Sequence, residues 1–150
     1  RYFPSGDQLL IWNDGWDGFP AARKRLNQAL IQYQVKNLVV FGGDVHENWV
    51  GYIKADYDKI DSPILGVEFC GTSITSLGSG GKYLDARLAK NPHFIFAEAS
   101  KKGYGIAEFT PKVLTVSLRV LSNAQDEDTS IETLAKFAVQ SHSNKLDRLS

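Results

Sequence analysis

The segment Gly43-Asp44-Val45-His46 stands directly after the apolar run Leu38-Val39-Val40-Phe41. In extended backbone, residues two apart point to the same side, so the Asp44 carboxylate and the His46 imidazole would converge on one point. A carboxylate oxygen and an imidazole nitrogen together suit a hard or borderline cation such as iron, manganese or zinc. The preceding glycines let the backbone turn tightly and approach a ligand closely. A structural reading stands beside this one, in which Asp44 caps a turn and His46 is a hydrogen-bonded surface residue.

Two other segments carry candidate chemistry. Asp14-Gly15-Trp16-Asp17-Gly18 could supply two carboxylates and a rigid aromatic wall to a pocket. By spacing alone it reads better as a helix entry, with Asp17 near the positive end of the dipole. The Ser/Thr/Gly stretch from Gly71 to Lys82 could cradle phosphate with backbone N–H groups, and Thr72 and Ser73 would add hydroxyls. It departs from the Walker pattern, with Ser76 where glycine is needed and Tyr83 after Gly81-Lys82. Composition alone makes it a flexible surface loop. No G-x-S-x-G elbow exists, so a serine hydrolase built on Ser73 or Ser79 with His93 has little behind it. His93 and His142 lack partners at ligand spacing, and Cys70 reads as a small buried hydrophobe.

The elements that must position these residues follow from periodicity. Ala22, Leu26, Ala29, Leu30 and Tyr33 form one apolar stripe and predict a helix over about 19–34, with Pro20 in its first turn and Arg23, Lys24, Arg25, Asn27 and Gln28 on the remaining surface. The first dozen residues read as loop ending in a short apolar stretch. Asn37 to Phe41 suits a strand buried on both faces. Helix, buried strand and glycine-rich turn is the order of α/β domains, whose functional loops follow the carboxyl ends of strands. Strands are expected at 49–54, 64–70, 94–96, 103–109 and 113–121, with a short helix at 82–90 and a turn at Thr110-Pro111-Lys112. Thr129 and Glu132 could form a capping box for a helix over 130–139, and the tail from Gln140 reads as frayed.

Composition sets the outer limits. A chain of 150 residues can bury roughly 70% of its unfolded surface, enough for an ordinary core. Seventeen Lys+Arg balance seventeen Asp+Glu, so no net basic field drives general nucleic-acid binding. No apolar run approaches the roughly 20 residues of a membrane helix. The single cysteine excludes a disulfide or a multi-cysteine metal cluster within this chain. Beginning at Arg1 without methionine, the chain reads as an excised piece.

The order of motifs adds what no single motif supplies. Asn13-Asp14-Gly15-Trp16-Asp17-Gly18-Phe19-Pro20-Ala21-Ala22-Arg23 resembles the D-x-W-D-G-Y-P-A-A-R signature of the alkaline phosphatase D family, within the metallophosphoesterase superfamily. The likeness continues through Gly43-Asp44-Val45-His46, Gly66-Val67-Glu68-Phe69, Gly71-Thr72-Ser73-Ile74, Asn91-Pro92-His93, Lys102-Gly103-Tyr104-Gly105, Thr110-Pro111 and Arg119-Val120. It spans roughly residues 10 to 121.

The resemblance implies an α/β fold, the C-terminal part of a four-layer α-β-β-α domain that hydrolyses phosphate esters at an iron and calcium centre. It implies Asp44 as a metal ligand and His46 as a ligand or catalytic phosphate contact. Asp14 (metal) and Asp17 (catalytic) match family positions near the site, and Asn48, Trp49 and Thr72 would line the substrate pocket. Residues 1–122 would belong to the catalytic domain, and 123–150 would be a polar linker, a C-terminal helix and a frayed tail. Export to the periplasm or medium is implied only by the likeness. The family's upstream ligand motifs are missing: Gly6-Asp7-Gln8-Leu9-Leu10 fails G-D-x-x-D at its last position, and Cys70 lies too late to be the family's ligand cysteine. This chain alone is therefore expected to be inactive as a phosphatase and prone to self-association through exposed sheet. The competing expectation is a non-catalytic α/β binding or structural module.

Overall fold

Alternating and β-branched sequence drives most of the chain into two sheets. The computed structural model describes residues 2–5, 8–11 and 13–150, with side chains described from residue 13 onward. A hairpin of β1 (Tyr2–Ser5) and β2 (Gln8–Ile11) comes first. A single 3-10 turn at Trp16–Gly18 then leads into α1 (Pro20–Gln32). Next come β3 (Leu38–Gly42), β4 (Asn48–Lys54), β5 (Ile64–Cys70), α2 (Leu84–Lys90) and β6 (Phe94–Glu98). These strands form a mixed sheet of order β3-β5-β4-β6, with β3 parallel to β5 and the other pairs antiparallel. The last strands, β7 (Gly103–Phe109), β8 (Val113–Leu121), β9 (Ile131–Gln140) and β10 (Asp147–Arg148), form an antiparallel sheet of order β10-β9-β8-β7.

The sheets pack face to face. Val50, Val67 and Phe69 of the mixed sheet meet Leu114, Val116, Leu118, Ala135, Phe137 and Val139 of the antiparallel one. The Phe137 ring lies 6.2 Å from Phe69 and 5.6 Å from Phe96, distances at which aromatic rings attract beyond their buried area. Because side chains alternate along a strand, Trp49 and Cys70 point to the opposite face, where they pack with Phe94 and with Leu84 and Leu88 of α2. The architecture is mixed α/β with two sheets and few helices.

Several expectations from the sequence are corrected. The opening segment is a hairpin and not a loop. The apolar stripe of α1 is only partly covered: Ala22, Ala29 and Leu30 are half-buried, Leu26 and Tyr33 are exposed, and Asn27 is the buried residue, its Nδ2 donating to the Lys54 carbonyl at 2.9 Å. Nor is β3 buried on both faces, because it stands at the edge of its sheet. Residues 131–140 form β9 and not a helix. Ala135, Phe137 and Val139 repeat at period two against β8, and that tertiary face outweighs a local cap. The two residues of the expected capping box are used elsewhere: Thr129 Oγ1 accepts from the Asn123 N–H, and Glu132 pairs with Lys101. The tail is docked as well, with β10 on β9, Leu146 buried and the Leu146 N–H donating to the Tyr52 hydroxyl.

Candidate functional site

Parallel pairing of β3 with β5 sends the segments after both strands out of one end of the sheet. They are tied at their roots, where the Gly71 N–H donates to the Gly42 carbonyl at 3.0 Å and Cys70 Sγ donates to the Gly43 carbonyl at 3.5 Å. Antiparallel β4 starts at that same end. His46, Asn48 and Thr72 therefore meet. Thr72 Oγ1 lies 3.1 Å from the His46 carbonyl, and the Thr72 N–H donates to Asn48 Oδ1 at 3.2 Å. Lys102 Nζ donates to the same His46 carbonyl at 3.3 Å. A Cβ on Gly78 would stand 2.8 Å from that oxygen, so only glycine lets the second loop lie this close.

The turn at 43–46 is not extended. Asp44 and His46 have φ of 72° and 59°, and the Val45 N–H donates back to the Gly43 carbonyl at 2.9 Å. The period-two argument for their convergence therefore fails; the turn, and not strand pleat, sets where the two side chains go. Two left-handed non-glycine residues in one turn cost energy that the surrounding contacts must offset, a pattern concentrated at functional sites. His46 Nδ1 lies 2.8 Å from the Leu77 carbonyl. A carbonyl only accepts, so Nδ1 carries the proton, and in the neutral ring the lone pair is on Nε2. Metal-ligating histidines are commonly oriented by this arrangement.

Beneath the turn lies a charged cluster that the sequence did not reveal. Glu47 is 2% exposed and Arg87 4%. Arg87 donates from Nη1 and Nη2 to the two Glu47 oxygens at 2.9 and 2.6 Å, and its guanidinium stacks 4.8 Å over the Trp49 ring. Glu47 also accepts from Trp49 Nε1 at 2.8 Å and from Ser79 Oγ at 2.5 Å. Burial acts to raise the Glu47 pKa, but hydrogen bonds from Arg87, Ser79 and Trp49 outweigh it and hold the carboxyl below its ordinary value. The cluster fastens the 71–83 loop and α2 beneath His46. Nothing in the sequence links Glu47 to a partner forty positions away.

The remaining candidates divide. Trp49 is fully buried and belongs to this foundation, so it does not line a pocket in this structure. Asp44 and Asp14 are exposed. Asp17 pairs with Arg23 at 2.5 Å, and Arg23 stacks over Tyr57, which follows the end of β4 opposite His46. Ser73 and Ser79 donate to the Ser76 carbonyl and to Glu47, and the His93 ring packs against Tyr57 and Phe94. The structure does not assemble a serine–histidine pair from them.

Among the described residues no group of three or more His, Cys, Asp and Glu side chains is placed to hold a metal ion. The fit to a metal is therefore that of a partial shell: an oriented imidazole with Nε2 available and one exposed carboxylate two residues before it. No helix among the described residues is long and apolar enough to cross a membrane.

A family model described as PhoD-like phosphatase matches residues 3–118. Alkaline phosphatase D of Bacillus subtilis (strain 168) is 36% identical over 140 residues, covering 91% of this chain and 24% of that relative. A solved structure described as "Structure of PhoD" superposes with a TM-score of 0.87 at 33% identity, over 99% of this chain and 29% of that one. The chain thus spans about a quarter of the length of the curated relative it matches. Matched along most of its length in both sequence and fold, the chain belongs to the PhoD-like phosphatase family.

Proposed function

We propose that these 150 residues are the portion of a metal-dependent phosphoric ester hydrolase that supplies Asp44 and His46 to its metal centre. The observation that carries this reading is the His46–Leu77 hydrogen bond, which orients the ring and leaves Nε2 as an acceptor in a strand-end turn. Asp44 would add a carboxylate oxygen, and oxygen with imidazole nitrogen suits iron and other hard or borderline cations, with calcium as an oxygen-bound second ion. Metal ions in such a centre polarise phosphoryl oxygens and lower the pKa of a bound water. Thr72 and Lys102 act on the His46 carbonyl and hold its left-handed conformation; Asn48 fixes the start of the Thr72 loop. The finer fold, a four-layer α-β-β-α domain of which this chain is the C-terminal part, belongs to the same proposal. Two donors cannot enforce a full coordination sphere, so the chain by itself has little phosphatase activity.

The test uses thermal unfolding of the purified chain with iron, manganese, zinc or calcium. Stabilisation at about 100 times Kd is worth about 2.7 kcal/mol, or roughly 5–10 °C, and should vanish in Asp44→Ala and His46→Ala. An equal shift in both variants refutes the assignment. Robust turnover of bis-p-nitrophenyl phosphate by the chain alone, lost in Asp44→Ala, overturns the statement that its shell is incomplete.

A further inference from the structure

We infer that Ser79 is a positioning residue for His46: through the Leu77 carbonyl it sets which ring nitrogen is left to accept. The inference rests on the reading of His46 as a metal donor and names what presents the donor atom. Between Thr72 and Ser79 the loop has little hold of its own. Ile74 is 58% exposed and Leu77 83%, and the Ser73 hydroxyl is spent within the loop on the Ser76 carbonyl. Yet the Leu77 carbonyl stands 2.8 Å from His46 Nδ1, and Gly78 lies against the His46 carbonyl. A carbonyl on an exposed loop keeps such a place only if a residue close to it in the chain is fixed.

Ser79 is that residue. Its Oγ donates to Glu47 Oε1 at 2.5 Å and accepts from Arg87 Nη1 at 3.3 Å. With Arg87 on a lone pair and the proton directed at Glu47, the hydroxyl has one orientation, and both partners are charged. Both also belong to the buried ion pair, so the anchor is set in the foundation and not in the loop. Ser79 stands two residues from Leu77, a span of at most about 7 Å, which limits where the Leu77 carbonyl can go. Beyond the anchor the chain has no such hold. Gly80 and Gly81 are left-handed, with φ of 66° and 80°, and an added Cβ would touch nothing at either. On the other side the last tie is the Gly103 N–H donating to the Ser73 carbonyl at 3.0 Å. Released from Glu47, residues 74–81 would swing between that tie and α2. The His46 Nδ1 proton would lose its acceptor, and the fold would no longer reserve the Nε2 lone pair for a cation.

The experiment labels the histidines of the full chain with 15N and reads the ring nitrogens by NMR at a pH where imidazole is neutral; a His46→Gln spectrum assigns the signals. In the parent the proton is expected on Nδ1. Ser79→Ala keeps the Arg87 and Trp49 bonds to Glu47, so the chain stays folded, and the ratio of the Nδ1–H to the Nε2–H form should fall by about fivefold or more. Ser79→Thr, which keeps the hydroxyl, should hold the parent ratio. A glycine inserted between Gly78 and Ser79 leaves the Ser79 bonds in place but slackens the span to Leu77. It should lower the ratio as Ser79→Ala does, and it decides the matter if Ser79→Ala does not fold. The inference is overturned by a parent ring protonated on Nε2, by an unmoved ratio in Ser79→Ala or in the insertion, or by Ser79→Thr behaving as Ser79→Ala. Neither metal nor ester enters these measurements. A shifted ratio in a chain that no metal stabilises would therefore refute the catalytic reading and leave the role of Ser79 standing.

Discussion

Replacing Arg87 with Met isolates the energetics of the foundation under His46. The substitution removes two charge-assisted hydrogen bonds, of 2.9 and 2.6 Å, and leaves the Glu47 carboxylate buried with only the Ser79 and Trp49 donors named above. Stranding one member of a buried ion pair costs about 3–5 kcal/mol, a large part of the 5–15 kcal/mol that holds a typical domain. Tm should fall by roughly 6–20 °C. The double variant Glu47→Leu/Arg87→Met removes both charges. It should regain most of the loss, short of the 1–3 kcal/mol or so for leaving Trp49 Nε1 without an acceptor. The assay is urea unfolding of the parent, both single variants and the double variant, read as a double-mutant cycle. The pH dependence gives a second reading. A carboxyl whose folded pKa is depressed stabilises the fold above its unfolded pKa, and that stability is lost as pH falls through the folded value. The parent should therefore lose stability below about pH 4.5 more steeply than Glu47→Gln does. A loss under about 1 kcal/mol in Arg87→Met, or a double variant as damaged as the sum of the singles, would refute the reasoning.

Two other substitutions test the packing. At Gly103, φ is 159° and an added Cβ would stand 1.9 Å from the Arg119 carbonyl oxygen, so Gly103→Ala should cost several kcal/mol. Gly105→Ala, whose Cβ meets only a Leu118 methyl at 4.0 Å, should change stability by less than about 0.5 kcal/mol; equal denaturation midpoints for the two variants would contradict the register of β7 on β8. Leu146→Ala should cost about 2–5 kcal/mol because the tail is part of the core, and a change within about 0.5 kcal/mol would show the tail to be undocked.

Local pattern made much of the chain legible. The strands at β4, β5, β7 and β8 and the helix α1 follow from periodicity and β-branched runs within a few residues, because each carries its own period and turn signals. The glycine-rich turn after β3 was equally local, whereas the family likeness came from the order of motifs along most of the chain. What the sequence could not convey were quantities set by distant partners. Residues 131–140 satisfy a capping pattern and a strand pattern together, and only pairing along β8 selects the strand. Asp44 and His46 share a turn by sequence, but both are left-handed there, and the contacts that meet His46 come from Thr72, Leu77 and Lys102, far along the chain. Glu47 and Arg87 meet only because α2 packs on the face of the mixed sheet that carries Trp49, two residues after Glu47, and sequence separation carries no trace of a bidentate ion pair. Residue types alone determined which groups could ligate, pair or pack; the tertiary structure decided which of them meet, since burial and strand order belong to the assembled chain and not to any window of it.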